Sequence, residues 1–244
     1  MSSDVVKDRL YLPLGLLVFG FGLLAVAHYQ GLFVVPAEAA MGDVYRILYV
    51  HVPCAWVALV IYLLAFVAAV GSLWSGRSRW DARVEASVEV GLLLNALVLI
   101  QGSIWAKPTW GVWWTWDPRL TTTAVMLVSF LGVLVLRSMI HAPARRAVVT
   151  AIATIVAFVD VPIVYMSVKW WNSLHQMQST PETVDSVMHL PLRMGAFGVL
   201  FLSLGLIGLR RRVAEQGLVH EKDAPDLPSP KAPLDLGENS RGEE

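Results

Sequence analysis

Four indoles fall within seven residues in the run Trp110-Gly111-Val112-Trp113-Trp114-Thr115-Trp116-Asp117-Pro118-Arg119. Tryptophans commonly anchor helix ends at the headgroup level of a bilayer, and anchoring accounts for Trp74, Trp80 and Trp105. It accounts poorly for four rings so closely spaced and broken by Gly, Pro and an Asp/Arg pair. Large flat indoles suit a large flat apolar ligand, which they bury by stacking, while an adjacent cation meets its anionic edge. A porphyrin has that shape and that distribution of charge. Its iron needs axial ligands, and imidazole is a common one. The chain holds six histidines, His28, His51, His141, His175, His189 and His220.

Which histidines can reach the tryptophans depends on the elements that carry them. Hydrophobic residues make up 56% of the 244 and charged residues 16%, with mean hydropathy at +0.58, a balance that excludes a water-soluble domain and makes lipid the expected solvent. Apolar stretches recur roughly every 35 residues, each close to the length of about 20 that a helix needs to cross a hydrocarbon core of about 30 Å. The expected fold is therefore all-α, a polytopic bundle of six transmembrane helices: Leu10 to Ala27, Val52 to Trp74, Val90 to Trp105, Leu120 to Leu136, Ala147 to Met166 and Leu190 to Leu209. A cleaved leader ending at Ala25-Val26-Ala27 is the alternative for the first span, but its apolar run is long for one.

Basic residues set the orientation. Lys7 and Arg9, then Arg77, Arg79 and Arg83, then Arg137, Arg145 and Arg146, then Arg210, Arg211 and Arg212 mark one side. Arg46, Lys107, Arg119, Lys169 and Arg193 mark the other. With the tail included, 14 of the 19 basic residues lie on the first side and 5 on the second, so N-in/C-in topology is expected. Residues 1–212 form the membrane domain, with an outward loop at 106–119. Residues 213–244 are polar and Pro-rich, a composition that cannot bury enough apolar surface to offset ordering entropy, and are expected to form a disordered cytoplasmic tail.

This topology puts His141 and His220 inside and leaves His28, His51, His175 and His189 at or near the outer side. His51 precedes Pro53, a residue suited to the first turn of the second span or to a kink near its outer end, which sets His51 at the outer rim, outside the span. His175 follows Trp170-Trp171-Asn172-Ser173-Leu174; if that stretch is helical, Trp171 and His175 share a face. Either histidine alone reads as a hydrogen-bonded interfacial residue, yet both stand on the side of the tryptophan loop. His28 and His189 read more easily as interface residues. Arg119 and Arg46 are the cations for carboxylate groups of a ligand, with a local pair to Asp117 as the alternative for Arg119. Asp117 is better suited to organising its loop, through its own backbone or Arg119, than to acting as an acid or base.

The remaining polar residues exclude several classes. The balance of 19 Lys+Arg against 19 Asp+Glu gives no argument for nucleic acid. A single cysteine, Cys54, permits neither an internal disulfide nor a CxxC pair, and it reads as a small buried hydrophobe. No Walker-type phosphate loop is present. No residue set for turnover catalysis is evident, so a binding protein is expected and not an enzyme. A transporter subunit is the main alternative, but its path would display polar residues along several spans, and only Asp160, Asn95 and Gln101 are available. Asp160, beside Pro162, is read as a protonated or hydrogen-bonded carboxyl, Asn95 and Gln101 as interhelical hydrogen bonders. A b-type electron-transfer protein would carry its histidine pairs within the spans.

The run Trp110 to Thr121, WGVWWTWDPRLT, resembles the tryptophan-rich "WWD" signature of haem-handling proteins of cytochrome c biogenesis. Tyr49-Val50-His51-Val52-Pro53 and Trp170-Trp171-Asn172-Ser173-Leu174-His175-Gln176 resemble the two histidine segments flanking it in the cytochrome c maturation protein C family, and the resemblance runs from about residue 10 to 210. It implies haem b as the cofactor, His51 and His175 as axial ligands of its iron, and a platform for the macrocycle formed by Trp110, Trp113, Trp114, Trp116, Asp117 and Arg119. It implies a multi-pass protein of the bacterial inner membrane with periplasmic functional loops. The partners it implies are a periplasmic haem chaperone (protein E), a small single-span protein D, and the ABC transporter halves A and B. Cys54, where the family pattern has a small residue such as Ala, and the long tail depart from that pattern without touching the expected site.

Overall fold

The computed structural model describes residues 3–180 and 182–223 and, for residues 3–9 and 218–223, the backbone alone. Seven α-helices are found among them: α1 (Ser3–Tyr29), α2 (Leu48–Ser75), α3 (Ser78–Trp110), α4 (Pro118–Ser138), α5 (Pro143–Phe158), α6 (Asp160–Trp170) and α7 (Ser186–Asp223). With α5 and α6 taken together they make six segments long and apolar enough to cross a membrane. The expected all-α, six-span architecture is the one observed.

The boundaries differ where hydropathy alone misplaces them. α2 starts at Leu48 and not at Val52, so His51 lies inside the helix; Pro53, its sixth residue, has no N–H to return to the Tyr49 carbonyl. α3 starts at Ser78 and not at Val90, which turns Arg79 and Arg83 from loop residues into helix residues. α7 runs to Asp223, so residues 213–223, expected in the tail, continue the helix, while residues 224–244 lie outside the described ones. The fifth span is broken at Val159. Pro162 has no N–H to give and its ring clashes with the carbonyl four residues back, that of Phe158, which is where α5 ends.

The core is aromatic and tightly layered. Tyr62 of α2 stacks on Phe130 of α4 with centroids 3.8 Å apart, and Val84, Val88 and Met126 close around them. α1 packs on α7 backbone to backbone: a Cβ on Gly20 would lie 2.8 Å from the Leu202 nitrogen, and one on Gly198 would lie 3.0 Å from that of Leu24. Small residues allow this approach, which supplies van der Waals contact where lipid removes the hydrophobic drive between helices.

One end of the bundle is locked by charge. Arg137, buried in the last turn of α4, bonds both oxygens of Asp81 at 2.7 and 3.0 Å and Glu85 at 2.8 Å. Arg210 of α7 bonds Glu85 and Glu89, each at 2.8 Å. Arg137 and Arg210, expected in solvent-facing segments, thus tie α3, α4 and α7 together. The opposite end carries the tryptophan loop and the short connections Gln30–Ile47 and 171–185.

Candidate functional site

α3 ends where Gly111 takes a left-handed conformation, φ 78°, and returns its N–H to the Lys107 carbonyl at 3.1 Å. α4 begins at Pro118 with Asp117 as its N-cap, the carboxylate accepting the Arg119 N–H at 2.8 Å. The six residues between, Val112 to Asp117, hold three of the four indoles as a loop whose ends are both fixed.

Beneath this loop a cavity of about 310 Å3 descends into the bundle. His51, Trp105, Trp110, Trp114, Arg119 and His175 line its upper part; Asn95, Thr123 and Met126 lie at its floor. The two imidazoles face one another across it with ring centroids 6.4 Å apart and planes inclined by 38°. Two metal–nitrogen bonds of about 2 Å each, plus the radius of each ring, require a centroid separation of about 6 Å. His28 and His189 are not in the cavity wall, and His189 Nε2 lies 3.0 Å from the Val184 carbonyl.

The imidazoles are prepared differently. His175 Nδ1 stands 2.8 Å from the Gln176 carbonyl. A carbonyl only accepts, so Nδ1 carries the proton and Nε2 keeps its lone pair, the arrangement common among metal-ligating histidines. Burial, with Arg119 nearby, holds the His175 pKa below its ordinary 6.5, although the Gln176 bond pulls the other way. His51 is only 6% exposed, meets the Trp105 edge at 5.9 Å, and its Nδ1 has no hydrogen-bond partner among the described residues. Gly102 packs beside it: a Cβ there would lie 3.4 Å from His51 Cε1, an ordinary contact.

The tryptophans divide. Trp110 and Trp114 belong to the cavity wall, whereas Trp113 is 57% exposed and Trp116 83% exposed, both directed outward. The four indoles therefore do not all line the cavity. Trp171 and His175 do not share a helix face either: α6 stops at Trp170, and residues 171–180 are irregular. Asp117 is 6% exposed and does not line the cavity; it accepts the Leu174 N–H at 2.6 Å and the Ser173 hydroxyl at 2.9 Å.

The two candidate cations separate as well. Arg46 is committed, to Asp43 at 2.7 Å and to the carbonyls of Gly31 and Val35 at 2.8 and 3.0 Å. Arg119 reaches only the Tyr165 carbonyl, at 3.4 Å, and its buried Nε has no hydrogen-bond partner among the described residues; no ion pair joins its side chain to Asp117. Trp105 and Asn95, expected to serve in anchoring and in interhelical bonding, line the cavity. Asn95 does reach Tyr62 and Thr123, at 3.4 and 3.5 Å, but its Oδ1 is unpartnered among the described residues. Both residues stand on the α3 face shared with Gly102, a spacing legible only once that face is known.

A family model described as heme exporter protein C matches residues 7–223. The chain belongs to this family. The heme exporter protein C of Escherichia coli (strain K12) is 36% identical over 192 residues, which are 78% of each chain. That of Bradyrhizobium diazoefficiens is 32% identical over 197 residues, 78% of this chain and 74% of its relative. A Marchantia polymorpha protein named as a putative cytochrome c biosynthesis ccmC-like mitochondrial protein is 31% identical over 194 residues, 80% of this chain and 82% of the other. The heme exporter protein C match spans every element that builds the cavity, from α2 to the segment bearing His175.

Proposed function

We propose that this protein binds haem b at the mouth of the cavity, with the iron between His51 and His175, and presents it for cytochrome c maturation. The observation that carries the reading is the imidazole pair, 6.4 Å apart, in a family whose members are named for haem export and cytochrome c biosynthesis. Haem is cargo here; the chain binds and orients it and turns over no substrate. Trp110 and Trp114 flank the macrocycle, and the uncommitted Arg119 guanidinium meets a propionate in bidentate fashion. Trp113 and Trp116, turned outward, provide the aromatic surface that a receiving protein meets.

The excess of basic residues at the charge-locked end supports N-in/C-in orientation in the bacterial inner membrane, with the cavity at the periplasmic face. The receiving partner is then the periplasmic haem chaperone, protein E, in an assembly with protein D and the ABC transporter halves A and B. A transporter subunit with a path through this chain is disfavoured by the cavity floor: below Asn95 the stacked Tyr62 and Phe130, both fully buried, fill the bundle. The deciding experiment is purification in detergent, followed by the Soret band and pyridine haemochrome. Haem at one per chain is expected, and none even after supply in excess sinks the reading.

A further inference from the structure

Residues 171–180 contain no helix or strand, so an imidazole in this segment is held only as firmly as the backbone around it is tied. Ties on both sides bracket His175. On its C-terminal side the Gln178 amide donates to the Tyr165 carbonyl at 2.6 Å. On its N-terminal side the tie is Asp117, which lies 56 residues away from Ser173 in sequence. The carboxylate accepts the Leu174 N–H at 2.6 Å and the Ser173 hydroxyl, whose oxygen stands 3.0 and 2.9 Å from its two oxygens. Ser173 Oγ in turn accepts the N–H of His175 at 3.0 Å. Asp117 is itself fixed by the start of α4, through the Arg119 N–H.

These bonds account for the carboxylate entirely with backbone N–H groups and one hydroxyl. It is buried outside the cavity wall, so it is not aimed at a ligand there. Hydrogen bonds to an ionised acceptor are about twice as strong as neutral ones, and a carboxylate with three donors in fixed directions makes a rigid junction. We propose that Asp117 is a positioning residue for the His175 ligand: closed over Ser173 and Leu174, it sets the imidazole opposite His51 and couples it to the tryptophan loop. This rests on the haem reading above. The clasp does not include His51, which stands on α2. Opening it therefore releases one axial ligand and leaves the other in place.

The test uses the full chain in detergent, with haemin supplied, and the variants Asp117→Ala, Asp117→Asn, Ser173→Ala and Ser173→Thr. Loss of the hydrogen bonds that hold a metal ligand in place costs roughly 10- to 100-fold in metal affinity. Asp117→Ala and Ser173→Ala are expected to weaken haem binding on that scale and shift the spectrum from six- to five-coordinate, the change also expected of His175→Gly. Added imidazole is expected to restore the six-coordinate form, and Ser173→Thr, which keeps the hydroxyl, to remain like the parent protein. The haem-free protein supplies a second readout, since chymotrypsin is expected to cut faster at Trp171 and Leu174 once the clasp is open. Unchanged coordination in membrane-inserted Ser173→Ala and Asp117→Asn overturns the proposal. So does a shifted spectrum without faster cleavage, which makes Asp117 a haem contact. If Asp117→Ala fails to insert, Ser173→Ala decides, because it leaves the α4 cap intact. If the parent protein takes up no haem, the haem reading falls, and the cleavage arm still decides whether Asp117 holds the segment.

Discussion

The two ends of this bundle differ in what their buried charged and polar groups meet. At one end Asp81, Glu85, Glu89, Arg137 and Arg210 satisfy one another across α3, α4 and α7. At the other, His51 Nδ1, Trp105 Nε1, Thr115 Oγ1 and Arg119 Nε are buried without hydrogen-bond partners among the described residues. Native proteins leave few such groups, and each carries a cost of about 1–3 kcal/mol. The first end is therefore a structural lock, and the second is an incomplete site that a ligand or ordered water completes. Substitutions at the two ends should fail in different measurements.

The largest effect is expected at the lock. Arg137→Met leaves Asp81 uncompensated in the interior and Glu85 with Arg210 alone, and breaking a buried pair from one side costs about 3–5 kcal/mol. Unfolding in detergent should show that loss, while the fraction that remains folded keeps its haem spectrum. A spectrum altered to the same degree as stability would erase the distinction between the ends.

His51→Gly and His175→Gly should do the reverse, lowering haem content and shifting the Soret band with little change in unfolding. Added imidazole should refill the vacated position. His28→Gly and His189→Gly should change neither. Normal haem content and spectrum in either His51→Gly or His175→Gly would end the assignment of two histidine ligands.

A smaller effect should separate the tryptophans from one another. At about 25 cal/mol per Å2 and roughly 150 Å2 or more per indole, each ring that covers the macrocycle contributes a few kcal/mol before ordering costs. Replacing Trp110 and Trp114 together by Ala should reduce haem retention, whereas replacing Trp113 and Trp116 should leave retention intact and slow transfer to the chaperone. Equal loss of haem in the two double variants would restore the single four-ring platform.

The smallest effect concerns pH. A histidine whose folded pKa lies below its unfolded value of 6.5 is neutral in both states above that value and is penalised only as the pH falls below it. Ligation needs the neutral ring, so haem retention should be flat from pH 8 to 6.5 and decline only in more acid solution. A decline that begins above pH 6.5 would mean that His175 is not buried as the structure has it.

Much of the architecture was legible because its causes are local. Six apolar runs, each summed over its own residues, have to become six spans wherever the chain meets lipid, since every backbone group in the hydrocarbon must be paired within its own helix. The tryptophan run and the four outer histidines were likewise visible as types and spacings. Helix ends were less so: Ser78 to Glu89 is too polar for a hydropathy window, yet it is helical because Asp81, Glu85 and Glu89 find Arg137 and Arg210 on other helices. Hydropathy scores those carboxylates as if they faced water.

The site itself was decided in three dimensions. Spacing and topology placed His51 and His175 on one side of a membrane, and the family resemblance alone put them on one iron; the 6.4 Å between them comes from how α2 and α3 pack and from where α6 stops. Sequence could not divide the indoles, since Gly111 and Asp117 fix the ends of a loop whose side chains then point where packing permits. Asp117 was read as an organiser of its own loop; its bonds to Ser173 and Leu174 show a second segment organised by it. Composition and period are additive along the chain and survive without a fold. The meeting of residues far apart in sequence depends on the packing of every helix between them, and only the folded bundle specifies it.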